Sequence, residues 1–284
     1  MVRYSTIIDI IDKSLNKCHD YPKARALDYF KANQDNFANE TYDYGDNPNQ
    51  LPSPQGHLQR IQEELQEDVE YTDLETGTIY GYQTNNYIEL GIWLNTGQMP
   101  KTPNEIREVF GGLATGYMLD ENGNYMNRWE RGDEQGTYHS TILSGLREDD
   151  TTPVRMTLED QDKHLTSAIN KTPPLQQDTV LYSYRELPAD IQVGDHGTFR
   201  GYSSCTYNPF VVDDIKQGGP WVVGEENRRY KVKIYAPFGT KGMVVGETTS
   251  TNLTWQSEWL LGKNQRYIVW SKNDNDMTAE IILY

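Results

Sequence analysis

An α+β fold is predicted, with helices first and strands afterwards, and three observations predict it. Apolar residues recur at helical spacing in the first third of the chain. After Pro174 the texture changes to short β-branched and aromatic runs separated by Gly, Pro, Asn and Asp. Six Trp, twenty Tyr and six Phe supply the bulk that packs a β-rich core. No G-x-G-x-x-G follows a strand and opens a helix, so a dinucleotide-binding βαβ unit is not supported.

The elements follow in order. Ile7, Ile8, Ile10, Ile11 and Leu15 make residues 6–18 an amphipathic helix, and Ala24, Ala26, Leu27, Tyr29 and Phe30 carry a second over Pro22 to Ala32. Residues 33–56, rich in Asn, Asp, Gln, Pro and Gly, form a polar linker. His57–Val69 is a helix with Leu58, Ile61, Leu65 and Val69 on its packed face and Glu63, Glu64, Glu67 and Asp68 on its solvated one. Tyr87, Leu90 and Leu94 mark a helix capped by Asn85 or Asn86. Residues 119–139 are a loop-rich insertion, and Asp160–Ile169 is a short helix closed by Asn170 and Pro173-Pro174. Strands are expected at Thr179–Tyr184, Gly197–Ser204, Arg229–Ala236, Gly242–Gly246, Ser257–Leu261 and Arg266–Trp270.

A formal net charge of −16 over 284 residues argues against a broad nucleic-acid surface or an anionic-lipid face. Cys18 and Cys205 stand far apart, with neither a CxxC pair nor zinc spacing, so no metal is expected. Asp9 and Asp12 interrupt the N-terminal apolar run, which is too short and charged for a signal segment or a membrane span. The expectation is a soluble protein, cytoplasmic or delivered into a host cytosol.

Three segments carry chemistry: Leu181-Tyr-Ser-Tyr-Arg185, Tyr202-Ser203-Ser204-Cys205-Thr206 and Gln256-Ser257-Glu258. They supply a guanidinium, a hydroxyl pair and a carboxylate, 19 and then 54 residues apart. On a strand, Gln256 and Glu258 share a face, while Cys205 alternates away from Ser204 and Thr206 and packs. In order and spacing the segments resemble the Arg–Ser–Glu group of mono-ADP-ribosyltransferases, nearest to the exoenzyme-type bacterial toxins and their phage-encoded relatives. Lys231–Gly242, with Pro237-Phe-Gly239-Thr-Lys-Gly242, looks like the turn before that group's acceptor loop, and Tyr82–Leu94 is similar to its aromatic helix. The likeness covers roughly residues 78–284; residues 1–70 are a helical extension that docks a partner or completes the domain.

The resemblance implies a two-sheet β core and NAD as co-substrate. It implies Glu258 as the catalytic carboxylate, Ser204 as its positioning hydroxyl, Gln256 as the acceptor-orienting residue, and Arg185, Tyr184, Ser204 and Thr206 at the cofactor. Trp221, Phe210 or Tyr207 would stack on nicotinamide or simply pack, and Trp255 would face a partner or pack inside its loop. Arg228 and Arg229 would add phosphate contacts or only flank a strand, and His196 is structural. The Gln-x-Glu form favours an amide-type protein acceptor over arginine. NAD glycohydrolysis, modification of a nucleic-acid base, and a binding module with a decayed site stay open beside it. Retention of the arginine, serine and glutamate together favours the enzyme.

Overall fold

Phe30 and Phe37 fix the first described elements, helices α1 (Tyr21–Ala32) and α2 (Gln34–Phe37). Both rings are buried against Tyr235, at centroid distances of 4.6 and 5.6 Å, and Phe30 also meets Trp270 edge-on at 5.0 Å. The computed structural model describes residues 21–37, 55–83, 90–91, 93–94, 97, 129–130, 139–143, 153–218, 227–245 and 258–284. The helix expected over residues 6–18 lies outside them. The polar linker expected from residue 33 instead begins with α2, because Phe37 finds an aromatic cluster to enter.

Helix α3 (Gln55–Glu67) departs from the expected apolar face. Leu65 is exposed, while Gln62 and Gln66 are buried. The reason is backbone satisfaction at the sheet edge. The Gln66 amide accepts from Val244 N–H at 2.9 Å and donates to Val244 C=O at 2.7 Å, pairing with the edge as a strand would. Gln62 donates to Pro173 C=O at 2.7 Å.

Helix α4 (Asp73–Gly81), which the apolar spacing does not suggest, starts at a capping box. Thr72 Oγ1 accepts from Glu75 N–H, and the Glu75 carboxylate accepts from Thr72 N–H at 2.7 Å. Residues 90–91 and 93–94 are helical, with Leu90 buried and Trp93 and Leu94 packed beside it; Tyr87 lies outside the described residues. Strands β1 (Trp129–Glu130), β2 (His139–Leu143) and β3 (Pro153–Thr157) form a small antiparallel sheet where the sequence suggests loop and insertion. Helix α5 (Leu158–Lys171) follows, capped by the Thr157 hydroxyl.

Eight further strands make the main sheet: β4 (Thr179–Pro188), β5 (His196–Phe199), β6 (Ser203–Thr206), β7 (Asn227–Ala236), β8 (Gly242–Val244), β9 (Glu258–Leu261), β10 (Gln265–Asn273) and β11 (Thr278–Leu283). Helix α6 (Pro209–Gly218) joins β6 towards β7. The strand order is β5-β10-β11-β7-β4-β6-β9-β8, parallel only at β11–β7. The run expected over Gly197–Ser204 is two strands, broken at Arg200-Gly201-Tyr202, that lie far apart in this order. All eight strands send a residue into one buried cluster, among them Phe199, Val269, Ile281, Val232, Leu181, Cys205, Trp259 and Val244. Such sharing requires the sheet to curl over its own face.

The two-sheet expectation becomes one hydrogen-bonded sheet with a narrow waist. Between β4 and β6 a single pair, Tyr182 with Thr206, holds the halves together. Helices cover the outer faces. On one side α1, α2 and α6 pack on Val180, Tyr182, Tyr235 and Ile282; on the other, α4 and α5 pack on Tyr202, Met243, Val245 and Leu260. Helices α1 to α3 thus share the packing of the main sheet.

Candidate active site

Antiparallel pairing of β6 with β9 sets Thr206 opposite Glu258 and Ser204 opposite Leu260. The strand period places Ser204, Thr206 and Glu258 on one face, and Cys205 and Trp259 on the other, within the core. Trp259 lies flat on the neighbouring strand because residue 242 is glycine: a Cβ there would sit 2.4 Å from the indole nitrogen. Ser183 Oγ donates to Ser204 C=O at 2.8 Å, tying β6 to β4 below the site.

Glu258 is buried, 8% exposed, and burial raises its carboxyl above the ordinary range. Ser204 hydrogen-bonds to the carboxylate, Gln83 stands beside it, and both partly oppose that rise. Gln83 and Tyr82 arrive from the end of α4, where the helix widens into a π-type turn. Tyr82 is buried, hydrogen-bonds with Ser204 and stands near Glu258 and Arg185. Its ring meets Tyr202 edge-on at 6.0 Å, and the Tyr202 hydroxyl is held by Thr166 at 2.7 Å and Asp162 at 2.8 Å.

Arg185 extends from β4 onto the ring of Phe199, its guanidinium carbon 3.9 Å from the centroid. Its Nη1 is buried with no hydrogen-bond partner among the described residues. Burial lowers its pKa. Cys205 is itself pushed up to about 12 by burial, so it stays a thiol.

The structure therefore brings Ser204 and Glu258 together, with Tyr82 shared between them and Arg185. Thr206 shares their face, and the other expected site residues fall elsewhere. Tyr184, one residue from Arg185, packs on the outer cluster beneath Arg229, whose guanidinium carbon is 5.8 Å from its ring. Alternation along β4 turns it away from the Arg185 face. The Thr206 hydroxyl accepts from Asn208 N–H at 3.0 Å, at the turn into α6. Tyr207 is fully buried and packs edge-on to Trp259 at 6.2 Å, so it is core rather than a stacking platform. Arg229 pairs with Glu186 at 3.0 Å, and Phe210 is partly exposed on α6. His196 is exposed on the edge strand β5. Gln256, Trp221 and Trp255 lie outside the described residues.

The Pro237–Gly242 turn forms as expected. Gly239 has φ of +87°, which favours glycine, and Leu175 N–H donates to Thr240 C=O at 3.0 Å while Gly239 N–H donates back to Leu175 C=O at 2.9 Å. Among the described residues, no group of three or more His, Cys, Asp or Glu is placed to hold a metal ion. No described helix is long and apolar enough to cross a membrane.

No family model matches the chain, and no curated protein matches it. Solved structures do. The Vis toxin, an ADP-ribosyltransferase from Vibrio splendidus, is similar at 11% identity and a TM-score of 0.47, over 84% of this chain and 88% of that one. A C3-type protein from S. aureus, solved with NAD, is similar at 15% identity and 0.43, over 81% and 95%. A C3-type ADP-ribosyltransferase from Clostridium botulinum is similar at 13% identity and 0.44, over 82% and 96%.

Four residues at the site carry no sequence signal of their role: Tyr82, Gln83, Phe199 and Tyr267. The first two head the aromatic stretch Tyr82–Leu94, whose periodicity reports a helical face and not the carboxylate beyond its end. Phe199 sits inside a run that the sequence presents as one strand. Nothing local marks Tyr267, whose partners come from other strands.

Proposed function

We propose that the chain is an NAD-dependent mono-ADP-ribosyltransferase acting on a protein side chain. The observation that carries this reading is the buried Glu258 carboxyl, hydrogen-bonded by Ser204, flanked by Gln83 and linked through Tyr82 to a half-buried arginine. A deeply buried carboxylate suits a developing cation, which gains most where water is excluded. A guanidinium with a buried, unpartnered Nη1 suits the oxygens of a diphosphate. The residues present therefore fit NAD as co-substrate.

In the proposed reaction, the bond between ribose C1′ and the nicotinamide nitrogen breaks, and its electron pair leaves with nicotinamide. Glu258 faces the oxocarbenium ion so formed. The acceptor nitrogen gives its pair to C1′ and loses a proton to solvent. Ser204 fixes which carboxylate oxygen points at the sugar. The sequence pattern Gln256-x-Glu258 supports an amide nitrogen as acceptor.

The test is incubation with labelled NAD and a candidate protein lysate. Label should enter a macromolecule and be released with it on proteolysis. Glu258→Gln should cut the rate by about 10²- to 10³-fold, in line with loss of one preorganised electrostatic group. Transfer at the parental rate by that variant would refute the assignment.

A further inference from the structure

Arg185 is held by an aromatic shelf built from two other strands. The Phe199 ring stacks on Tyr267 at 4.5 Å with an interplanar angle of 29°, and the Arg185 guanidinium lies on the Phe199 ring at 3.9 Å. The pairing of β5 with β10 explains the geometry: Tyr267 stands opposite Gly197, and Phe199 is the diagonal neighbour on the same face. A Cβ on residue 197 would lie 2.4 Å from the outer end of the Tyr267 ring and would displace it. The missing side chain lets Tyr267 lie across its partner strand and present Phe199 with a fixed surface.

The shelf determines how the guanidinium is used. One π-face is covered, so flat contact on that side is closed to a ligand. Nη1 is buried and unpartnered among the described residues, which leaves the edge of the fork for an in-plane contact. The neighbouring groups do not neutralise the charge: Tyr82, Tyr267 and Cys205 are all held neutral by burial.

We infer that Phe199 and Tyr267 are positioning residues that aim the edge of Arg185 at an anionic phosphoryl oxygen of the substrate. The inference rests on the proposed reading of the site and adds a specificity element to it. Lysine would keep a cation–π contact with the ring but has no planar fork to aim in-plane at an oxygen.

The experiment is calorimetric titration of the full chain with NAD and, separately, with inorganic pyrophosphate, alongside nicotinamide release. Phe199→Leu should weaken both ligands about tenfold, the size expected of a desolvated cation–π contact. It should raise KM for NAD with kcat nearly unchanged, and Phe199→Tyr should restore both affinities to within about threefold. The wild type should show the Arg185 side-chain NMR signal shifted upfield by ring current, a readout that does not depend on any variant folding. Parental affinity in Phe199→Leu, or an unshifted Arg185 signal, overturns the shelf and leaves the NAD reading intact. Pyrophosphate binding that responds to Phe199→Leu, with no NAD binding, upholds the shelf and overturns the NAD reading. An equal fall in kcat and kcat/KM, unrescued by Phe199→Tyr, marks the role as structural and overturns the inference.

Discussion

Glu75 is remote from the chemistry, yet it fixes the helix that brings Tyr82 and Gln83 to Glu258. Its carboxylate is 3% exposed and accepts from Ser167 Oγ and Lys171 Nζ, each at 2.6 Å, besides closing the Thr72 capping box. Burial alone would raise its pKa, but Lys171, Ser167 and Thr72 hold it down at about 2, against 4.5 in a free chain. At about 1.36 kcal/mol per tenfold change in proton affinity, that difference corresponds to about 3 kcal/mol of folding free energy at neutral pH. The folded value is depressed, so the contribution is complete above about pH 4.5 and is lost as pH falls towards 2. Glu75→Gln should therefore lower the urea-derived unfolding free energy by about 2–3 kcal/mol at pH 7, and the gap to wild type should shrink by about half at pH 3. Activity should fall too, because α4 loses its anchor to α5. A deficit below about 0.5 kcal/mol at pH 7, or one of equal size at both pH values, would refute the reasoning.

Two further outcomes are expected. Glu258 has a raised pKa in the folded state, so its contribution is present below the ordinary carboxylate range and is lost as pH rises towards the folded value. Thermal melts should show wild-type stability falling across that window, while Glu258→Gln gives a flatter profile and a higher Tm at neutral pH. Phe30→Ala should cost about 3–5 kcal/mol in chemical denaturation, because the ring is fully buried among Phe37, Tyr235 and Trp270. A loss below about 1 kcal/mol would show that α1 is an appendage rather than part of the core.

Much of the architecture is legible in the sequence because strand texture and helix spacing are local. The order of the β4, β6 and β9 segments, and the positions of Arg185, Ser204 and Glu258 on them, can be read directly. What cannot be read depends on partners distant in sequence. Gln62 and Gln66 look like a solvated face until the bare edge of β8 is in place to receive the Gln66 amide. Strand β11 gives a weak signal because Ala279 and Glu280 dilute its apolar run, yet it lies between β10 and β7 and needs no strong propensity of its own. Tyr184 and Arg185 look like one unit in the sequence, although neighbours on a strand face opposite ways. The Thr72–Glu75 capping box is a local signal, and it marks the start of α4 more sharply than the apolar spacing does.

The Gln66 clamp on Val244 has a consequence beyond anchoring α3. An open edge strand invites pairing with another chain, and β8 stands at the end of an eight-stranded sheet. A single side-chain amide occupies both backbone polar groups of Val244, so an incoming strand finds no donor or acceptor in register there. At that position the edge strand beside β9, which carries Glu258, is already paired within the chain.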